Sequence, residues 1–163
     1  ETNIHIKANS SGPCLKPVPG TIDFGEVGVG VPKPVEVLLQ GCGTEAVNVT
    51  QIALDAGTSE GLKLDFTTGS FTDGKAPSAA DPLIVQPNAS ASFRVVCTPT
   101  SLTEKVIGMV RVTSSNTDKR TIPVTCTPAK LACPVACFDI QPGLKVVPQT
   151  ELKLSSACSN AGG

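Results

Sequence analysis

Ile22-Asp23-Phe24-Gly25-Glu26-Val27-Gly28-Val29-Gly30 is the stretch on which the reading of this chain turns. Ile22 and Phe24 flank Asp23, so in an extended backbone both apolar side chains fall on one face and the carboxylate on the other. Gly28-Val29-Gly30 lacks the third glycine and the following helix that a phosphate loop needs, so it reads as a turn. The same period of two recurs outward from this segment. Val35, Val37 and Leu39 alternate with Glu36 and Gln40, and Val47 and Val49 lead into Ile52 and Leu54. Leu62, Leu64 and Phe66 alternate with Lys63 and Asp65. Phe93, Val95 and Cys97 share one face, with Arg94 on the other. Val106, Val110 and Val112 share a face with Gly108, and Ile122, Val124 and Cys126 alternate with Thr121 and Thr125. No segment carries a capped helical stripe. Many short strands separated by turn residues mean an all-β sandwich.

Turn chemistry supports this. Gln86-Pro87-Asn88 precedes the Phe93 strand, and Ser114-Ser115-Asn116-Thr117-Asp118 reads as a hairpin loop between the last two strands. Pro123 inside the final strand favours an edge position, where a missing donor is tolerated. Residues 67–82, rich in Thr, Gly, Ser, Pro and Ala, read as a long exposed loop.

Composition excludes several classes of function. The 163 residues carry a formal net charge of −1, which argues against a phosphate-binding or anionic-membrane surface. With 40% hydrophobic and 17% charged residues, the chain has neither a disordered nor a membrane profile, and no apolar run approaches the ~18 residues of a spanning helix. Trp and Tyr are absent and there are only 5 Phe, which weakens readings that stack rings on sugars or bases. Seven Cys, a single His and no Cys-x-x-Cys pair point to disulfides in an oxidising compartment rather than to a zinc site. The start at Glu1-Thr2 reads as a piece of a longer secreted protein.

These motifs together resemble the ASH-type immunoglobulin-like domains, which include the choice-of-anchor D modules and are similar to the major sperm protein and pilus-chaperone folds. Ile22 to Gly30 resembles the opening "hydrophobic-x-Phe-Gly-x-Val-x-x-Gly" pattern, carried by Phe24, Gly25, Val27 and Gly30. Val35 to Gly43 resembles the second strand, with Gln40-Gly41-Cys42-Gly43 departing from the usual Asn. Leu83 to Pro99 resembles "x-Pro-Gly … Val-x-Phe-x-Pro", with Asn88 in place of Gly and Cys97 in place of Phe. Val106 to Ser115 and Ile122 to Thr127 complete the pattern. The resemblance implies an immunoglobulin-like antiparallel sandwich of seven to eight strands over residues 14–129. Residues 1–13 resemble a linker or the last strand of a preceding module. Residues 130–163 resemble a linker and the first strands of a PKD-like module, a short extra β-ribbon that stops before that module is complete.

His5 has no Ser or Cys partner nearby and reads as a surface strand residue. Asp23 matches a structural position of the family pattern rather than a catalytic acid. Asp73, Asp81 and Glu60 lack the Asp-x-Asp-x-Asp spacing of a calcium loop. Cys133-Pro134-Val135-Ala136-Cys137 has the wrong spacing for redox chemistry and reads as a structural bridge. Asn9, Asn48 and Asn88 match the glycosylation acceptor pattern, which matters only in a eukaryotic secretory pathway, and the bacterial character of the resemblance implies that they are unmodified. Arg94, Arg111, Lys105, Lys119 and Arg120 lie on or beside late strands; a pilus chaperone would use a basic pair to hold a client carboxylate, whereas a solvated strand face is the plainer reading.

In a sandwich of the resembled type, the strand ending at Cys97 runs antiparallel to the strand ending at Cys42, so those two should not pair. The inferred strand order pairs Cys97 with Cys126, Cys14 with Cys42, and Cys137 with Cys158, and leaves Cys133 over. In that order Cys14 precedes the Ile22 strand, and Cys42 follows its antiparallel neighbour. The expectation is a non-enzymatic, disulfide-stapled structural or spacer module of an exported bacterial surface protein, with no catalytic residue, metal or cofactor. Its partners would be other modules of the same polypeptide or neighbouring subunits. A protein or glycan ligand on the 67–82 loop and a pilus-chaperone-like assembly role are the alternatives; nucleic acid and direct membrane insertion are not expected.

Overall fold

The computed structural model describes residues 12–71 and 74–130. By its contacts the chain divides into two units, Glu1–Lys130 and Leu131–Gly163. The expectations for His5, Asn9, Asp73, Cys133, the Cys137–Cys158 pair and the C-terminal ribbon lie outside the described residues.

Nine strands form among the described residues: β1 (Leu15–Val18), β2 (Ile22–Gly28), β3 (Lys33–Gly41), β4 (Val47–Leu54), β5 (Leu62–Asp65), β6 (Leu83–Val85), β7 (Ser90–Cys97), β8 (Val106–Ser114) and β9 (Arg120–Ala129). They build two sheets in the orders β1-β3-β7-β5 and β2-β9-β8-β4-β6. The all-β sandwich read from the alternation is the fold. The strand count exceeds the expected seven to eight, because β1 and β6, four and three residues long, are too short to show a period.

Two details depart from the expected arrangement. β2 was expected beside β3 in an antiparallel sandwich; it lies instead in the other sheet and runs parallel to β9, with Ile22 opposite Val124 and Gly28 opposite Ala129. The chain makes this change at Pro19-Gly20, leaving β1 in one sheet and entering β2 in the other. Pro123 was expected on an edge, but β9 is an inner strand of its sheet. β2 begins opposite Val124, so the β9 segment from Arg120 to Pro123 has an open flank on that side, where a missing N–H is tolerated.

The core lies between the sheets. Phe93, Leu39, Ile122, Val37, Val95, Val110 and Val124 are all less than 2% exposed. They are the inward phase of strands whose polar partners face water. Burying each such side chain contributes roughly 1.5–3 kcal/mol. Phe66 stacks on Phe93 with ring centroids 5.9 Å apart and takes Phe71 edge-on at 4.9 Å, which anchors the start of the 67–82 segment on the core. Gly108 sits inward on β8 because a Cβ there would come within 2.5 Å of the Thr58 side chain and 2.7 Å of Leu62. Asn88 has φ +60°, the left-handed conformation for which the resembled pattern uses glycine and which Asn tolerates better than most residues.

Candidate functional site

The motif residues lie along β2 and the turn after it, with Pro99 just beyond β7. Phe24 and Val27, each 3% exposed, point inward from β2. Gly25 takes φ +64° at the irregularity between Asp23 and Glu26, which resets the register of β2 on β9. Gly30 takes φ +79° in the turn after β2, and its N–H donates to the carbonyl oxygen of Pro99 at 2.8 Å. Pro99 itself is fully buried. These residues position strands and turns; none of them presents a reactive group to solvent.

Four of the flagged cysteines are joined. Cys14 bonds Cys42 with their Cα atoms 5.0 Å apart, and Cys97 bonds Cys126 at 6.7 Å. The first bond ties the start of β1 to the end of β3 within one sheet. It forms through β1, not through the Ile22 strand on which the inferred order relied. The second bond crosses the core from β7 to β9, and both of its cysteines are fully buried.

The charged side chains brace the same framework. Asp23 accepts from the Gly25 N–H at 2.9 Å and from the Thr125 hydroxyl across the β2–β9 pair at 3.1 Å. The Gly25 N–H above all, then the Thr125 hydroxyl, with help from Lys105 and Lys33, hold this carboxyl below the ordinary carboxylate range. Asp65 is held low in the same way by the hydroxyl and N–H of Thr67. Lys33 Nζ donates to the Phe24 carbonyl at 2.7 Å, joining β3 to β2 across the two sheets. Arg120 Nε donates to the Leu15 carbonyl at 3.1 Å and joins β9 to β1. Arg111 pairs with Asp55 at 2.8 Å, an exposed ion pair worth about 0.5 kcal/mol. Arg94 lies in a cross-strand row between Glu36 on β3 and Asp65 on β5. Arg111 and Arg120 are therefore engaged where they stand, and Arg94 stands between two carboxylate-bearing positions. Lys105 borders a hollow together with Glu60 and Glu104, and Lys119 lies on the β8–β9 loop.

Surface depressions also mark the described residues. One of about 340 Å³ lies within the 67–82 loop region and is lined by Ser70, Phe71, Lys75, Pro77, Ser78 and Asp81, among others. The loop there is fastened by Ser70 N–H to the Ser92 carbonyl and by Ser92 N–H to Ser70 Oγ. A second, of about 280 Å³, is lined by Thr58, Glu60, Thr100, Glu104 and Lys105. Its residues come from the β4–β5 and β7–β8 connections, and no local sequence pattern marks them. A third is an open hollow of about 540 Å³ between Pro13 and Cys14 on one side and Ser115–Asp118 and Arg120 on the other. Glu60 and Asp81 line different depressions, so the structure does not assemble them. Among the described residues no group of three or more His, Cys, Asp or Glu could hold a metal ion, and no helix is long and apolar enough to cross a membrane.

No family model matches the chain, and no curated protein matches it. Solved structures do. A protein of unknown function from Porphyromonas gingivalis W83 aligns with a TM-score of 0.52 at 11% identity, over 75% of this chain and 49% of that one. The chain thus spans about half the length of that protein. The ASH/PapD-like domain 7 of human CEP192 aligns with a TM-score of 0.52 at 8% identity, over 81% of this chain and 96% of that one. At such identities the likeness is one of fold. The described residues form an immunoglobulin-like β-sandwich of the kind seen in an ASH/PapD-like domain.

Proposed function

We propose that this chain is a non-enzymatic structural module of an exported, multi-domain bacterial surface protein, which spaces and presents neighbouring modules through protein–protein contacts. The observation that carries this reading is the engagement of its polar chemistry. Asp23, Asp65, Lys33, Arg120 and the Arg111–Asp55 pair all brace strands or turns. An enzyme needs acid, base or nucleophile groups converging on one cleft. The two disulfides support an oxidising compartment. Membership of the ASH-type or choice-of-anchor D modules, with a PKD-like module beginning after residue 130, rests on the motif resemblance.

A second reading, adhesion or ligand binding through residues 67–82, draws on the 340 Å³ depression with Phe71, Lys75 and Asp81 on its walls. A pilus-chaperone-like role draws less support, because Arg111 and Arg120 already hold a carboxylate and a carbonyl within the sandwich. Module exchange separates these readings. Residues 14–129 of the full-length parent are replaced by an unrelated immunoglobulin-like sandwich of similar length, and surface display and ligand binding are measured. Retained function supports the spacer. Loss of function that is reproduced by Phe71→Ala with Asp81→Ala in the native module would establish ligand binding instead.

A further inference from the structure

The two disulfides stand in opposite environments. Cys97 and Cys126 are each fully buried between the sheets, so no reductant reaches them without opening the core. Cys42 is exposed and Cys14 is half-buried. Cys14 lines the open hollow with Pro13, Ser115–Asp118 and Arg120, and Cys42 is open to solvent, so this bond lies at the surface rather than in the core. A thiolate must reach a disulfide sulfur to attack it, so access governs which bond exchanges first.

We propose that the Cys14–Cys42 bond is a redox-sensitive fastening on β1. A dithiol reductant opens it in the folded protein, while Cys97–Cys126 stays closed. One thiolate of the reductant attacks the sulfur of Cys42, the exposed partner, forming a mixed disulfide and releasing the Cys14 thiolate. The second thiol of the reductant then closes its own disulfide and releases Cys42. Two electrons and two protons pass from the reductant, which is oxidised, to Cys14 and Cys42, which become thiols.

The element freed is well defined. β1 is an edge strand of four residues, paired on one side only, to Leu38–Gly41 of β3. Without the disulfide it keeps that ladder, the buried Leu15 side chain and the Arg120 hydrogen bond to the Leu15 carbonyl. The adjoining segment keeps the Cys42 N–H to Cys14 carbonyl bond at 2.9 Å and the Thr44 N–H to Gly12 carbonyl bond at 3.0 Å. Short edge elements of this kind open locally at far less free energy than the core. Reduction therefore loosens residues 12–18 and the edge of β3 that they cover, and leaves the rest of the sandwich folded.

The test uses the full oxidised chain in native buffer. Dithiothreitol is raised in steps and each step is quenched with acid. Free thiols are then alkylated with light iodoacetamide, and the remainder with the heavy reagent after denaturing reduction. Mass spectrometry should show Cys14 and Cys42 labelled light at a dithiothreitol concentration at least about tenfold below that required for Cys97 and Cys126. Amide hydrogen exchange in β1 should then accelerate by about tenfold or more, with β7 and β9 unchanged. A Cys14→Ser/Cys42→Ser variant should reproduce that exchange pattern; if the variant does not fold, the titration of the native chain decides alone. Reduction of both bonds at one concentration, or of Cys97–Cys126 first, overturns the proposal. Selective reduction without faster exchange in β1 overturns the fastening role.

Discussion

The N–H of Gly30 donates to the carbonyl oxygen of Pro99 at 2.8 Å, and this bond joins the ends of the two segments from which the fold is read. Gly30 closes the turn after β2, and Pro99 follows the end of β7 in the opposite sheet. Gly30 makes this bond with φ +79°, and a Cβ built there would meet nothing within 4 Å. The cost of substitution is therefore backbone strain alone. Gly30→Ala should destabilise the protein by about 1–2 kcal/mol, and Gly30→Asn by less. Urea denaturation midpoints of the two variants check this ordering.

Phe24 is 3% exposed on the inner face of β2, and its carbonyl accepts from Lys33 Nζ. Phe24→Ala should cost about 3–5 kcal/mol, through lost burial and the cavity left behind. Phe24→Leu should cost clearly less. A midpoint unchanged by Phe24→Ala would mean that the side chain does not belong to the core.

Asp23, like Asp65, contributes to the acid-side pH dependence. Its carboxyl is held below the ordinary range by the Gly25 N–H and then by the Thr125 hydroxyl. Its folded-state pKa is thus lower than its unfolded one, near 3.9. The stabilisation is fully present above the unfolded value and is lost as pH falls through the lower folded value. Asp23→Asn should be less stable than the parent at pH 6, and the gap should narrow below about pH 4. A gap that stays constant across the acid range would remove Asp23 from the account.

Much of this fold is legible in the sequence, and the failures have physical causes. β3, β4, β7, β8 and β9 run for eight to ten residues, long enough for alternation to declare both strand and buried face. β1 and β6 are too short to declare themselves. Alternation in β2 identifies its buried face but not its sheet, because crossing at Pro19-Gly20 and pairing with β9 are decided by packing between residues far apart in the chain. Arg120 was visible as a charge on a late strand. Its partner, the carbonyl of Leu15, could not be, because side chain to backbone bonds at long range leave no pattern. The depression at Glu60 and Glu104 was invisible for the same reason. The loop at 67–82 announced itself by composition, and a depression lies there.

The central claim is a two-sheet sandwich stapled by Cys14–Cys42 and Cys97–Cys126 in an oxidising compartment. The register of β3 on β7 places Lys33 opposite Cys97 and Gln40 opposite Ser90. Cys42 therefore lies roughly 30 Å along the strand from Cys97, against the roughly 4.4–6.8 Å between Cα atoms that a disulfide spans. Non-reducing peptide mapping of protein isolated with its free thiols blocked at lysis tests this directly. The account predicts one linked peptide pair containing Cys14 and Cys42 and another containing Cys97 and Cys126. A Cys42–Cys97 linked peptide, or blocked free thiols at these four positions, would contradict it.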